Sequence, residues 1–164
     1  MQKWGVWSLI LFFWIVLSGF NNLEHHNPGN IRDNGQHWEG QVECSDPHFA
    51  CFENSYYGVR AMVSLLVTYH ERHDIQTVEG VIERWMPPNE NPTQELKDSL
   101  NLSSGHPLAD VELVNEDNLY KLVEWIILHE NGEIPYTRES LREAVDHALR
   151  DHNDPSLYFT VGVY

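Results

Sequence analysis

The chain has 164 residues, the length of one domain with a sizeable core, and carries 10 Lys+Arg against 25 Asp+Glu, a formal charge of −15. That acidity argues against nucleic acid as a partner, since a phosphate-backbone binder needs a basic face. A hydrophobic fraction of 41% with six Trp, seven Tyr and six Phe excludes a disordered acidic tail, and ten Gly with eight Pro exclude a low-complexity or collagen-like chain.

Residues Trp4 to Leu23 contain no charged side chain, and Val6 to Leu17 is almost wholly apolar behind Lys3. Segment 1–23 therefore reads as a signal peptide or a membrane anchor. The dense core is short for a bilayer span, and Val16-Leu17-Ser18 offers a cleavage site; Trp4, Trp7 and Trp14 suit an anchor at a membrane interface. Both readings put residues 24–164 outside the cytoplasm or beside a membrane.

His25 to Asn54 is turn-rich, with Asn27-Pro28-Gly29-Asn30, Asp33-Asn34-Gly35 and Asp46-Pro47, and leaves room for a short hairpin around Trp38 to Val42. Cys44 and Cys51 form no C-x-x-C pair, so a zinc ribbon or thioredoxin-type site has no support. One disulfide in an oxidising compartment and two unpaired small hydrophobes are both open readings. From Tyr56 to His73, Val59, Met62, Val63, Leu66 and Tyr69 recur at helical spacing. Thr77 caps a second helix bearing Val78, Val81, Ile82 and Trp85, which Pro87-Pro88 ends.

Asn91-Pro92 reads as the N-cap and first position of a short helix to about Leu100, followed by a polar loop from Asn101 to Pro107. Asn115 or Asp117 opens the strongest helix, which runs to Glu130 and stops at Asn131-Gly132. Thr137 caps a last helix with the stripe Leu141, Ala144, Val145, Ala148 and Leu149. The expected fold is mostly α, one domain over 24–164 behind a hydrophobic N-terminal helix.

Glu130 carries the most chemical information. The stripe Leu119, Leu122, Val123, Ile126, Ile127 continues at position 130, where a carboxylate stands. Partial desolvation and the negative end of the helix dipole both favour its protonated form, which is the physical description of a general acid. The competing reading bends Glu130 outward to solvent at a frayed helix end. Glu90, before a helix start, is the second carboxylate, more simply read as a partner of that helix's dipole.

His70-Glu71-Arg72-His73 is HExH, not the HExxH of a zincin, and His147 and His152 lack ligand spacing. No metal and no cofactor are expected, and neither a nucleophile elbow nor a phosphate-cradling loop is present. Asn27, Asn30, Arg32, Trp38, Trp85, Asn131 and Tyr136 lie in loops or at helix ends around the acids. Their rings and planar amides suit sugar faces and hydroxyls, or peptide stems; Trp85 is as readily core, and Arg32 as readily a salt-bridge donor.

Six blocks occur in fixed order: Asn27-Pro28-Gly29-Asn30-Ile31-Arg32, Trp38-x-Gly40, Phe49-x-x-Phe52, Gly58-x-Arg60-Ala61, Arg84-Trp85-x-Pro87-Pro88-x-Glu90-Asn91-x-Thr93, and His129-Glu130-Asn131-Gly132-x-x-Pro135-Tyr136. Together they resemble bacteriophage virion structural proteins related to cystoviral lysis proteins, over roughly residues 25 to 150. The resemblance implies a lysozyme-like or lytic-transglycosylase-like helical domain that degrades peptidoglycan. Ile126-Ile127-Leu128-His129-Glu130-Asn131-Gly132 is similar to a transglycosylase catalytic helix end, with Asn131 where Ser is usual. That helix ordinarily opens the domain, whereas here it comes late, and the Asn27–Arg32 block resembles a glucosaminidase strand that ordinarily follows it. A circular permutation reconciles the two orders.

On that resemblance Glu130 is the general acid and Glu90 the second carboxylate, with Asn27, Asn30, Arg32, Trp38, Asn131 and Tyr136 as substrate-binding residues. Peptidoglycan is the implied partner, together with a membrane through the N-terminal segment and, for a virion-borne protein, other virion proteins. A peptidoglycan endopeptidase on the same scaffold, a non-catalytic virion membrane protein and, against the missing HExxH, a zinc peptidase are the alternatives. His25-His26, Met86 and Pro92 depart from the usual family residues around these blocks.

Overall fold

The computed structural model describes residues 23–89, 91–103 and 116–153; the apolar segment up to residue 22 and the loop from 104 to 107 lie outside them. The described chain is mostly α, in the order β1 (Gln41–Val42), β2 (Cys51–Phe52), α1 (Ser55–His73), α2 (Val78–Trp85), α3 (Thr93–Ser103), α4 (Glu116–Asn131) and α5 (Arg138–Asn153). No described helix is long and apolar enough to cross a membrane. The chain divides into two compact units, Met1–Met62 with Ile126–Ala144, and Val63–Trp125 with Val145–Tyr164.

The first unit is built on turns. Pro28 presets the second position of the Asn27–Asn30 turn, which closes as the Asn30 N–H donates to the Asn27 carbonyl at 3.0 Å. Asn30 then adopts φ 54°, a left-handed conformation that Asn tolerates better than most residues. Beyond it the chain runs beside residues 48–52. The Ala50 N–H donates to Ile31 O and the Asp33 N–H to His48 O, both at 2.9 Å, and the Phe52 N–H donates to His25 O at 3.0 Å.

β1 and β2 pair antiparallel, Gln41 opposite Phe52 and Val42 opposite Cys51. The hairpin expected within Trp38–Val42 is thus a turn followed by one strand, whose partner comes from further along the chain. Cys44 and Cys51 are joined in a disulfide, so of the two open readings the paired one holds. α1 begins at Ser55, one residue before Tyr56, where the Asn54 side-chain oxygen accepts the Tyr56 N–H at 3.1 Å. Gly58 must be glycine for a simple reason: a Cβ there would overlap the His26 carbonyl oxygen. Ile31, Ala50, Phe52, Val59, Met62, Ile126, Ile127 and Leu141 are among the buried apolar residues of this unit. Each large one contributes about 1.5–3 kcal/mol by leaving water.

In the second unit, Val63, Leu66 and Val67 of α1, Val78, Val81 and Ile82 of α2, and Leu119, Leu122 and Val123 of α4 are all buried. The Thr77 hydroxyl caps α2 by accepting the Gly80 N–H at 3.3 Å. α3 starts at Thr93 rather than at Pro92. The Thr93 N–H is turned to the Asn91 carbonyl at 2.9 Å, and its buried hydroxyl donates to Met86 O at 2.6 Å. The helix then runs to Ser103, past Leu100. Lys97 reaches Glu79 at 2.6 Å and Glu83 at 2.9 Å, tying α3 to α2. Trp85 meets Tyr69 edge-on at 6.2 Å, while the Arg84 guanidinium lies 4.6 Å over the same Tyr69 ring. Trp85 therefore serves packing in this unit.

Candidate active site

α4 delivers the carboxylate. Leu119, Leu122, Val123, Ile126 and Ile127 are each at most 1% exposed, and Glu130 extends this buried stripe into the last turn, where it is half-buried. Gly132, at φ 76°, stops the helix, and its N–H donates to the Leu128 carbonyl at 2.8 Å. Glu130 is thus held in the last turn of α4, beside the carbonyl end of the helix.

Asn131 stitches this helix end to the Asn27–Asn30 turn. Its amide nitrogen donates to Ile127 O at 2.9 Å, within the helix, and to Pro28 O at 2.8 Å, across to the turn. From the turn, Asn30 Nδ2 donates to Glu130 Oε2 at 3.4 Å, a long bond that orients the carboxyl more than it stabilises it. The Asn30 and Asn131 side-chain oxygens are both buried and accept nothing among the described residues. Two buried acceptors near one acid are a place for an ordered internal water.

Asn27, expected as a substrate-binding residue, turns out to be 1% exposed, with its amide committed to the loop. Nδ2 donates to Ile31 O at 2.8 Å and to Ala50 O at 2.9 Å, and Oδ1 accepts the Ile31 N–H at 2.9 Å. With both donors engaged and water excluded, Asn27 shapes the turn that presents Asn30. Arg32 is exposed and bridges Phe49 through its backbone. Trp38 is half-buried at the turn into β1, where its N–H donates to Gln41 Oε1 at 2.9 Å. Tyr136 is half-buried between α4 and α5, and burial pushes its hydroxyl up to about 12, so it is a neutral donor and acceptor at ordinary pH.

The hydrogen bonds therefore bring Asn30, Glu130 and Asn131 together, while Arg32, Trp38 and Tyr136 share their compact unit. Glu90 lies outside the described residues. One grouping was invisible to spacing rules: a ring nitrogen of His25 and the sulfurs of Cys44 and Cys51 lie within 4.8 Å of one another. A shallow cleft lined by Glu24, His25, Ser45, Asp46, Pro47 and His48 opens beside it. The backbone bond from Phe52 to His25 makes this grouping, and no sequence motif marks such a bond.

No family model matches the chain. Over 128 residues it is 31% identical to Protein P5 of Pseudoalteromonas phage PM2, a match taking in 76% of this chain and 79% of that protein. The chain belongs to the family of this phage protein.

Proposed function

We propose that the chain is a phage-type peptidoglycan-degrading enzyme, exported or membrane-anchored, that cleaves the glycan strand during host entry or lysis. In this reading residues 24–164 form a circularly permuted lysozyme-like domain. The observation that carries it is Glu130 at the end of a fully buried apolar stripe, with the Asn30 amide on its carboxyl and two buried amide oxygens beside it. Kinship with a phage protein supports the setting, and the Cys44–Cys51 disulfide supports export into an oxidising compartment.

Glu130, protonated, gives its proton to the glycosidic oxygen as the C1–O bond breaks and an oxocarbenium-like centre develops. In a lytic transglycosylase the sugar's own 6-hydroxyl then attacks C1 and returns its proton to the Glu130 carboxylate, which needs no second acid. In a hydrolase water attacks instead, and Glu90 is the sequence's candidate to assist it. Tyr136, neutral at working pH, and Trp38 offer a hydroxyl and a ring face to the sugar. Peptidoglycan is the partner this chemistry requires.

A second reading, a non-catalytic virion protein, is favoured by one observation: Asn27 and Asn131 both spend their amide donors on backbone carbonyls, as residues kept for folding do. Mass spectrometry of purified peptidoglycan digested by the protein separates the two. Anhydro-sugar ends lost in Glu130→Gln support the transglycosylase, and reducing ends lost in the same variant support a hydrolase. Cut stem peptides move the chemistry to an endopeptidase, and intact glycan from folded protein supports the virion reading.

A further inference from the structure

The Cys44–Cys51 disulfide has an imidazole at its side. His25, Cys44 and Cys51 come from the turn before Asn27 and from the two ends of a loop, and their ligand atoms lie within 4.8 Å of one another. The placement is built into the backbone, because the Phe52 N–H, next to Cys51, donates to the His25 carbonyl at 3.0 Å. The two cysteine Cα atoms are 5.3 Å apart.

We propose that in the reduced chain His25, Cys44 and Cys51 bind a zinc ion, which the disulfide replaces on oxidation. Two thiolates and an imidazole are the donor set that Zn2+ prefers, and with Zn–S near 2.3 Å a tetrahedral ion holds two sulfurs about 3.8 Å apart. On reduction the bond between the two sulfurs is gone, and the site requires them to separate to that distance. His25 also lines the cleft that carries Glu24, Asp46 and His48, and the proposal takes its fourth ligand from water or one of these side chains. Asp46 is held at this place by accepting the His48 N–H at 2.8 Å. The surrounding charge of the chain, −15, favours a cation.

The chemistry balances. A thiol or phosphine reductant supplies two electrons, the S–S bond becomes two thiols, and Zn2+ displaces their two protons to give a centre with no net charge. On export a disulfide oxidant takes two electrons from the two thiolates, the S–S bond forms, and Zn2+ leaves. The ion thus closes the 44–51 loop in a reducing compartment, and the disulfide closes it afterwards. This inference is independent of the proposed activity.

The test uses the full chain in detergent, reduced with a phosphine and titrated with Co2+ alone. The expected result is the visible absorption of tetrahedral cobalt–thiolate, saturating at one ion per chain, displaced by Zn2+ and absent from the oxidised protein. His25→Ala is expected to weaken binding by at least ~10-fold while keeping the thiolate spectrum, and Cys44→Ser to abolish it. A reduced chain with native helical circular dichroism and no cobalt–thiolate absorption overturns the proposal, as does His25→Ala with unchanged affinity. Should reduction alone unfold the chain, recovery of the helical signal on adding Co2+ supports the site, and failure to recover overturns it.

Discussion

Asn30 and Glu130, a hundred residues apart in sequence, meet through a hydrogen bond from amide to carboxylate at 3.4 Å. The bond joins the Asn27–Asn30 turn to the end of α4, and the proposed activity makes different predictions for the two residues it links and for those that hold them. Glu130→Gln is expected to lower glycan cleavage by ~10²–10⁴-fold, the contribution of a positioned acid, with circular dichroism unchanged. Asn30→Ala leaves the acid in place and is expected to lower the rate by a smaller factor. Fragment analysis of the same peptidoglycan by all three proteins ranks them.

Asn27 and Asn131 are expected to show themselves in stability. Asn27→Ala orphans the Ile31 N–H and the Ala50 carbonyl in a buried turn, while the Ile31 carbonyl keeps the Ala50 N–H, and is expected to cost about 2–4 kcal/mol. Asn131→Ala removes the link to Pro28 in a half-buried place and is expected to cost about 1–3 kcal/mol. Urea unfolding with an unchanged slope checks both, since only the midpoint then moves.

Gly58→Ala puts a methyl group where the His26 carbonyl lies, with backbone on both sides of the collision. The helix entry must then shift, and a loss of about 1–3 kcal/mol is expected despite alanine's better helix propensity. Gly35→Ala, where open space surrounds the position but φ is +82°, offers a control in which backbone strain alone acts. Denaturant midpoints of the two variants compare the mechanisms.

Alkaline pH is expected to weaken the fold. Burial raises the Tyr136 hydroxyl from 10.0 to about 12, so the unfolded chain loses that proton first. The native state then binds more protons than the unfolded one, and stability falls as pH rises from 10 towards 12, with no contribution from this group below 10. Burial raises Tyr69 in the same direction. Partial exposure of Tyr136 makes the loss smaller than the full shift implies. Tyr136→Phe is expected to flatten the stability profile over this window without removing the Tyr69 part, as urea midpoints at pH 9 to 12 would record.

Under the proposed activity, salt is expected to speed cleavage of intact walls. A chain at −15 is repelled by anionic wall polymers, and raising ionic strength to ~0.1 M shortens the reach of that repulsion to about 10 Å. Lysis rates on whole walls should rise with salt, while rates on short neutral glycan fragments stay flat. A steady fall on walls would contradict the charge argument.

Much of this was legible in the sequence because helices announce themselves by spacing. The stripe from Leu119 to Ile127 is buried as its period demands, and Thr77 caps α2 through its own hydroxyl. Where a side chain had a better partner elsewhere, the reading slipped: the Thr93 hydroxyl goes to Met86 O, so α3 opens at Thr93 and not at Pro92. Two-residue strands have no alternation to detect, which hid the pairing of Gln41 with Phe52. In the site, Glu130 was found because a charge interrupted an apolar period. Asn27 was read as a ligand residue because an amide in a turn looks the same whether it faces a sugar or its own backbone; only burial tells them apart.

The division of the first unit between residues 1–62 and 126–144 has a consequence for the timing of synthesis. Asn30 leaves the ribosome long before Glu130, and closing a loop of that length waits on nearly the whole chain. A half-made or truncated polypeptide holds the turn without its acid. For the proposed activity, the cell that makes the chain is spared until each copy is finished, a delay set by residue order along one polypeptide and needing no inhibitor.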